Sequence, residues 1–119
     1  TRNRADALQR EFGQKIIVYD WVQAGNMLEG AATIVNASSL GMVGKPEMRI
    51  PLDGIGKSAV VTDLVYTPLE TPLIAYARSL GCRTVDGLGM LLHQAVPGFE
   101  RWFGMKPDVD EELREAVLK

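Results

Sequence analysis

Apolar residues recur at helical spacing in the first dozen positions. Ala5, Leu8 and Phe12 line up with Arg and Glu between them, which predicts a helix over residues 2–12. Thr1 stands where an N-cap belongs and Gly13 where the helix would stop. The next apolar run, Lys15–Tyr19 (KIIVY), is short and β-branched and predicts a buried strand. Residues 20–29 carry a mixed pattern that allows one or two helical turns. Thr33–Asn36 (TIVN) predicts a second strand, Ala59–Tyr66 (AVVTDLVY) a third that Pro68 ends, and Arg83–Val85 a fourth. Residues 37–57 are rich in Gly, Ser and Pro and read as a long loop, a kind usually functional or mobile. Thr71-Pro72 starts a helix that runs to Leu80 ahead of Gly81. Gly87–Phe103 reads as a long apolar helix stopped by Gly104, and Pro107-Asp108 as the start of a final charged helix.

Strands alternating with helices imply an α/β fold with parallel strands and right-handed crossovers. Ligands in such sheets bind at the carboxyl ends of the strands. Attention therefore falls on residues 36–42, 66–71 and 86–90.

Composition narrows the function classes. Apolar residues make up 46% and charged residues 24% of 119, an ordinary balance for one soluble domain. The net charge of −2 and the lack of a basic block offer nothing to nucleic acid. No apolar run approaches the roughly 20 residues of a membrane span. The single cysteine, Cys82, permits no internal disulfide and fits a reducing, cytoplasmic setting. One Cys and one His cannot build a four-ligand metal site, so no metal is expected.

Three segments could carry chemistry. Asn36-Ala37-Ser38-Ser39-Leu40-Gly41-Met42 follows a strand directly. Its small residues would let a ligand approach, and its Asn and Ser could hydrogen-bond a ribose or phosphate, although an ordinary polar turn has the same composition. In Asp63-Leu64-Val65-Tyr66-Thr67-Pro68-Leu69-Glu70-Thr71-Pro72, Tyr66 ends the strand and serves equally as core or as a hydroxyl aimed into a cleft. In Asp86-Gly87-Leu88-Gly89-Met90-Leu91-Leu92-His93-Gln94, Gly89 allows close approach of a flat ring. Met90 offers that ring a polarisable face. Gln94 lies one turn beyond Met90 on the same helix face. His93 points about 100° away from Gln94 and reads as a surface or structural residue. Two glycines alone do not make the phosphate-binding GxGxxG fingerprint.

Taken together, in this order and spacing, the three segments resemble the shikimate dehydrogenase family. NASSLGM is similar to that family's N-A-T/S-x-x-G-M loop. DLVYTPLETPL is similar to its D-x-x-Y-x-P-x-x-T-P-L segment, and DGLGMLLHQA to its D-G-x-x-M-L-x-x-Q-A helix start. The resemblance reaches back to the first residue. Family members carry Asn-Arg-Thr after the second Rossmann strand and a basic residue three positions on. Thr1 and Arg4 match the end of that pattern.

The resemblance implies a Rossmann-type sheet that is incomplete here, with the first two strands and the Gly-rich loop absent. Residues 1–119 would then be part of an NADP-binding domain, including its C-terminal helices, with no substrate domain. The parent enzyme would reduce 3-dehydroshikimate to shikimate with NADPH in aromatic amino-acid biosynthesis. It implies Thr1 and Arg4 at the 2′-phosphate of NADP; otherwise Arg4 is one exposed cation on a helix. It places Asn36, Ala37 and Ser38 at the nicotinamide-ribose end and Leu64, Gly87 and Met90 by the nicotinamide. It directs Tyr66 and Gln94 to the substrate. No catalytic residue is assigned in this chain, because the family's catalytic Lys and Asp belong to the other domain. A quinate or dual-specificity dehydrogenase using NAD, or a non-catalytic nucleotide-binding or assembly module, are the alternatives.

A sheet ordered 3-2-1-4-5-6 but lacking strands 1 and 2 would leave Lys15–Tyr19 about 14 Å from Thr33–Asn36. Unpaired backbone cannot be buried on that scale. The expectation is that the missing strands come from the rest of the protein or from another chain.

Overall fold

The computed structural model describes residues 1–119. The elements are α1 (Arg2–Phe12), three 3-10 turns (Gly13–Lys15, Trp21–Gln23, Gly25–Met27), β1 (Thr33–Asn36), β2 (Val60–Asp63), α2 (Pro72–Ser79), β3 (Arg83–Val85), α3 (Gly87–Phe103) and α4 (Glu111–Leu118). The strands form one parallel sheet in the order β1-β2-β3. That is an α/β arrangement, as the alternating pattern predicts. No helix is long and apolar enough to cross a membrane.

Local chemistry sets the boundaries. The Thr71 hydroxyl accepts a hydrogen bond from the Ile74 N–H, Pro72 occupies the first helical turn, and Gly81 follows at φ 84°. These start and stop α2 where the sequence places them. Gly104, at φ 70°, ends α3 in the left-handed conformation that glycine adopts without a Cβ penalty.

Register divides the strand residues between two faces. Ile34, Val61 and Thr84 form one cross-strand row and Val35, Thr62 and Val85 another. The first row faces α2. There Ile55, Ala59, Val61, Leu73, Ala77 and Cys82 form the core, with Ile34 packed against it. Burying a Val or Leu side chain of this kind contributes about 1.5–3 kcal/mol. The second row faces outward, with Val35 and Val85 both 52% exposed. Parallel sheets are normally covered on both faces; this one is covered on one.

Three expectations need correction. Lys15–Tyr19 is not a strand: Lys15 closes a 3-10 turn and residues 16–20 join no ladder. Ile16 does adopt extended dihedrals (φ −121°, ψ 124°), so the local preference is met. A strand also needs a neighbour, and none is present to pair with it. The run is consequently not buried, and Ile17 and Tyr19 are exposed.

The strand expected over Ala59–Tyr66 is shorter, Val60–Asp63. The Asp63 carboxylate accepts the Val65 N–H at 2.9 Å, which turns the chain out of the ladder. The last helix starts at Glu111 rather than at Pro107-Asp108. Asp110 is the better cap, because its carboxylate takes the Leu113 N–H at 2.9 Å with Glu111 and Glu112 in the first turn. The mixed region at 20–29 resolves into two 3-10 turns, and residues 37–59 carry no helix or strand.

Candidate functional site

At the carboxyl end of β1 the Asn36 side chain is fully committed. Its Oδ1 accepts from the Ser38 N–H (3.0 Å) and the Ser38 hydroxyl (2.7 Å). Its Nδ2 donates to the Leu40 carbonyl (3.1 Å) and to Asp63 Oδ1 (2.9 Å). An amide has two donors and two acceptor positions. Asn36 therefore shapes the turn and has no side-chain hydrogen bond left for a ligand. Ala37 and Ser38 stand exposed on that turn.

Asp63, at the carboxyl end of β2, is 1% exposed. Its Oδ1 accepts from Asn36 Nδ2 and from the Val65 N–H, both at 2.9 Å. Its Oδ2 accepts from the Thr71 hydroxyl at 2.7 Å. This one carboxylate joins the turn after β1, the turn after β2 and the start of α2. The sequence reading assigned it no role. An acidic residue at the end of an apolar strand signals a need for buried donors, but not which residues supply them.

The third segment packs directly on the second. A Cβ built on Gly87 would lie 2.6 Å from the Leu64 carbonyl oxygen and 2.7 Å from that of Val65. Leu64 in turn donates its N–H to the Asn36 carbonyl at 3.0 Å. Asn36, Leu64 and Gly87 thus stand side by side across the sheet edge. Asp86 caps α3 by accepting the Leu88 N–H at 3.1 Å, and its other oxygen accepts from Arg114 of α4 at 2.6 Å. That hydrogen bond is the main cause of the raised pKa of Arg114. Partial desolvation opposes it, and the charges of Asp86 and Glu111 add to it.

Beyond Gly87 the helix opens outward. Gly89 has nothing within 4 Å of its Cβ position. Met90 is 39% and Tyr66 42% exposed, and Gln94 is exposed one turn past Met90. His93 lies on another side of α3, in a polar cleft with Glu100, Lys106 and Asp108.

Two further hollows complete the surroundings. An apolar groove of about 350 Å³ runs beside Asn36–Ser38, walled by Trp21, Leu28, Ile34, Met48, Leu52 and Leu73. It touches neither Gly87 nor Met90 nor Gln94. Thr1 lines a separate cleft with Arg2, Ala5, Val18, Tyr19 and Asp20, and Trp21 borders both hollows. The Thr1 side chain makes no capping hydrogen bond. Arg2 is held by Asp6 and Asp20, whereas Arg4 makes no ion pair. The structure therefore gathers Asn36–Ser38, Leu64 and Gly87 into one edge, with Tyr66, Met90 and Gln94 exposed on the segments that continue from it. Thr1, just ahead of α1, and Arg4, in its first turn, stand apart.

Comparison with known proteins falls on this same arrangement. The family described as Shikimate 5'-dehydrogenase C-terminal domain matches residues 87–118. The chain is 68% identical over 118 residues to the shikimate dehydrogenase (NADP(+)) of Cereibacter sphaeroides, and 65% identical to that of Paracoccus denitrificans. Each match covers 99% of this chain. Along almost its whole length the chain is similar to shikimate dehydrogenases. It spans 42% of the length of those two relatives.

Among solved structures, the quinate dehydrogenase of Corynebacterium glutamicum in complex with NAD superposes with a TM-score of 0.80 at 36% identity. That match covers 98% of this chain and 42% of that one. The shikimate 5-dehydrogenase of Thermus thermophilus in complex with NADP(H) and shikimate gives 0.74 at 30% identity, covering 91% and 39%. Three parallel strands lying side by side in chain order are what strands 4, 5 and 6 of a classic dinucleotide-binding sheet ordered 3-2-1-4-5-6 present.

Proposed function

We propose that residues 1–119 form the cofactor-binding part of an NADPH-dependent shikimate dehydrogenase, including its C-terminal helices. In this reading the whole protein reduces 3-dehydroshikimate to shikimate in aromatic amino-acid biosynthesis, in the cytoplasm. The observation that carries it is the continuous edge from Asn36 through Leu64 to Gly87, with Gly89, Met90 and Gln94 open beside it. A flat ring fits against an open glycine and a thioether, and a carboxamide one turn on can hydrogen-bond a polyol.

The nicotinamide supplies the hydride chemistry, and the protein orients it. Asn36, Ala37 and Ser38 line the ribose end, with Asn36 setting the turn. Leu64, Gly87 and Met90 pack by the nicotinamide. Tyr66 and Gln94 hold the substrate. Thr1 and Arg4 take the 2′-phosphate, and the absence of an acidic partner on Arg4 supports that role. The proton that accompanies the hydride belongs to residues outside this chain, so no catalytic residue is assigned within it.

The free edge of β1 and the open Val35–Thr62–Val85 face support a second statement. Further strands, from the rest of the protein or from another chain, pair with β1, and further helices cover that face. Only then does the domain acquire its Gly-rich loop and a neighbour for Lys15–Tyr19.

The resemblance to an NAD-bound quinate dehydrogenase keeps one alternative in view. Steady-state assays of the full-length protein with shikimate and quinate, each with NADP and NAD, decide between them. Turnover of shikimate with NADP at the highest kcat/KM is the expected result. Preference for quinate with NAD would replace the proposal, and dinucleotide binding without turnover would leave a non-catalytic module.

A further inference from the structure

We infer that Asp63 is a positioning residue that sets the cofactor-facing edge by holding three segments in one geometry. The inference rests on the proposed cofactor role of that edge. Asp63 does not face the open side; it lies beneath, almost completely buried. Each of its carboxylate oxygens is used, and the donors come from three places in the chain: Asn36, Val65 and Thr71.

Each bond fixes a different part of the edge. The Asn36 amide held by Asp63 is the one that organises Ser38 and Leu40. The Val65 N–H bond turns the chain at Leu64, and the Leu64 and Val65 carbonyls form the floor on which Gly87 rests. The Thr71 hydroxyl that donates to Asp63 also accepts the Ile74 N–H, so the start of α2 is locked to the same point. Displacing the carboxylate moves the ribose end, the Leu64–Tyr66 turn and the Gly87 floor together. No buried polar side chain in the protein lacks a partner, so removing this acceptor strands three donors at once.

The test uses the full-length protein with Asp63→Ala, Asp63→Asn and Asp63→Glu. NADPH affinity is read by fluorescence titration, and amide hydrogen exchange by mass spectrometry resolved to residues 36–40, 63–66 and 71–74. Asp63→Ala is expected to weaken NADPH binding about tenfold or more and to speed exchange in all three segments together. Asp63→Asn keeps the size and one acceptor oxygen and should stay within about threefold of the parent. Asp63→Glu keeps the charge but shifts it by a methylene, and is expected to behave like Asp63→Ala.

A merely electrostatic role would be rescued by Glu, and that result would overturn the inference. So would parent-like NADPH affinity in a folded Asp63→Ala protein, or faster exchange in only one segment. Should Asp63→Ala fail to fold, Thr71→Val removes one donor to Asp63, together with the cap of α2, without touching the open edge. It is expected to weaken NADPH binding severalfold, and unchanged affinity would overturn the inference. A parent protein with no NADPH affinity would sink the functional proposal alone, because the exchange result still decides whether Asp63 couples the segments.

Discussion

Arg114, in the last helix, donates to Asp86 at 2.6 Å across 28 residues of chain, and Asp86 is the residue that caps α3. The C-terminal helix is thereby tied to the turn that presents Gly87 and Met90. The two functions of Asp86 can be separated. Asp86→Ala loses both the cap and the ion pair, and the cap alone is worth about 1 kcal/mol. Asp86→Ser keeps a capping oxygen and loses only Arg114, so it should unfold at lower denaturant than the parent but higher than Asp86→Ala. Chemical denaturation orders the three. The pKa of Arg114 is raised, so the cation's contribution is fully present below its unfolded value and fades only as pH climbs through the higher folded one. The guanidinium side of the pair therefore adds no pH dependence near neutrality.

Gly87 and Gly89 are two residues apart and should respond oppositely to alanine. A Cβ at Gly87 meets two backbone carbonyls that cannot step aside, whereas one at Gly89 meets open space. Gly87→Ala is expected to destabilise by about 1–3 kcal/mol through overpacking. Gly89→Ala, within α3, should stabilise by about 0.5–1 kcal/mol from helix propensity. It should at the same time weaken NADPH binding, because the methyl occupies the space assigned to the ring. Stability and affinity measured on the same two variants check both signs.

The contrast explains how much of the molecule was legible from its residues. Thr71-Pro72, Gly81 and Gly104 are local signals, and the helices they bound lie where the signals put them. Lys15–Tyr19 has equally good β-branched chemistry, but a strand is a relation between segments and no segment of this chain pairs with it. Asp63 was hidden for a related reason. Its importance lies in donors 27 residues before and 8 residues after it, and no local spacing reveals that convergence. The family resemblance puts Gly87 by the nicotinamide, yet its need for glycine comes first from the carbonyls beneath it.

Arg4 has no acidic partner, while Arg2 two positions earlier is held by Asp6 and Asp20. Arg4→Ala in the full-length protein should therefore raise the KM for NADPH by roughly tenfold to a hundredfold, the range of a charge-assisted hydrogen bond. The KM for NADH, which has no 2′-phosphate, should hardly change. Arg2→Ala should affect neither ratio strongly. Equal losses with both cofactors would remove Arg4 from the phosphate site.

Gln94 sits one helical turn beyond Met90 on an exposed face of α3, far enough from Gly87 to reach past a ring packed on Met90. The carboxamide is the only neutral group on that face with both donors and acceptors, which suits a polyhydroxylated acid better than a nicotinamide. Gln94→Ala is accordingly expected to weaken substrate binding by about tenfold while leaving NADPH binding close to that of the parent. Because the side chain is exposed, the substitution should cost little stability, and a surface change of this kind stays within about 0.5 kcal/mol. Substrate and NADPH dissociation constants, measured separately on the same folded variant, check the split. Equal losses in both would place Gln94 at the cofactor, and no loss in either would return it to the ordinary solvent-facing surface of the helix.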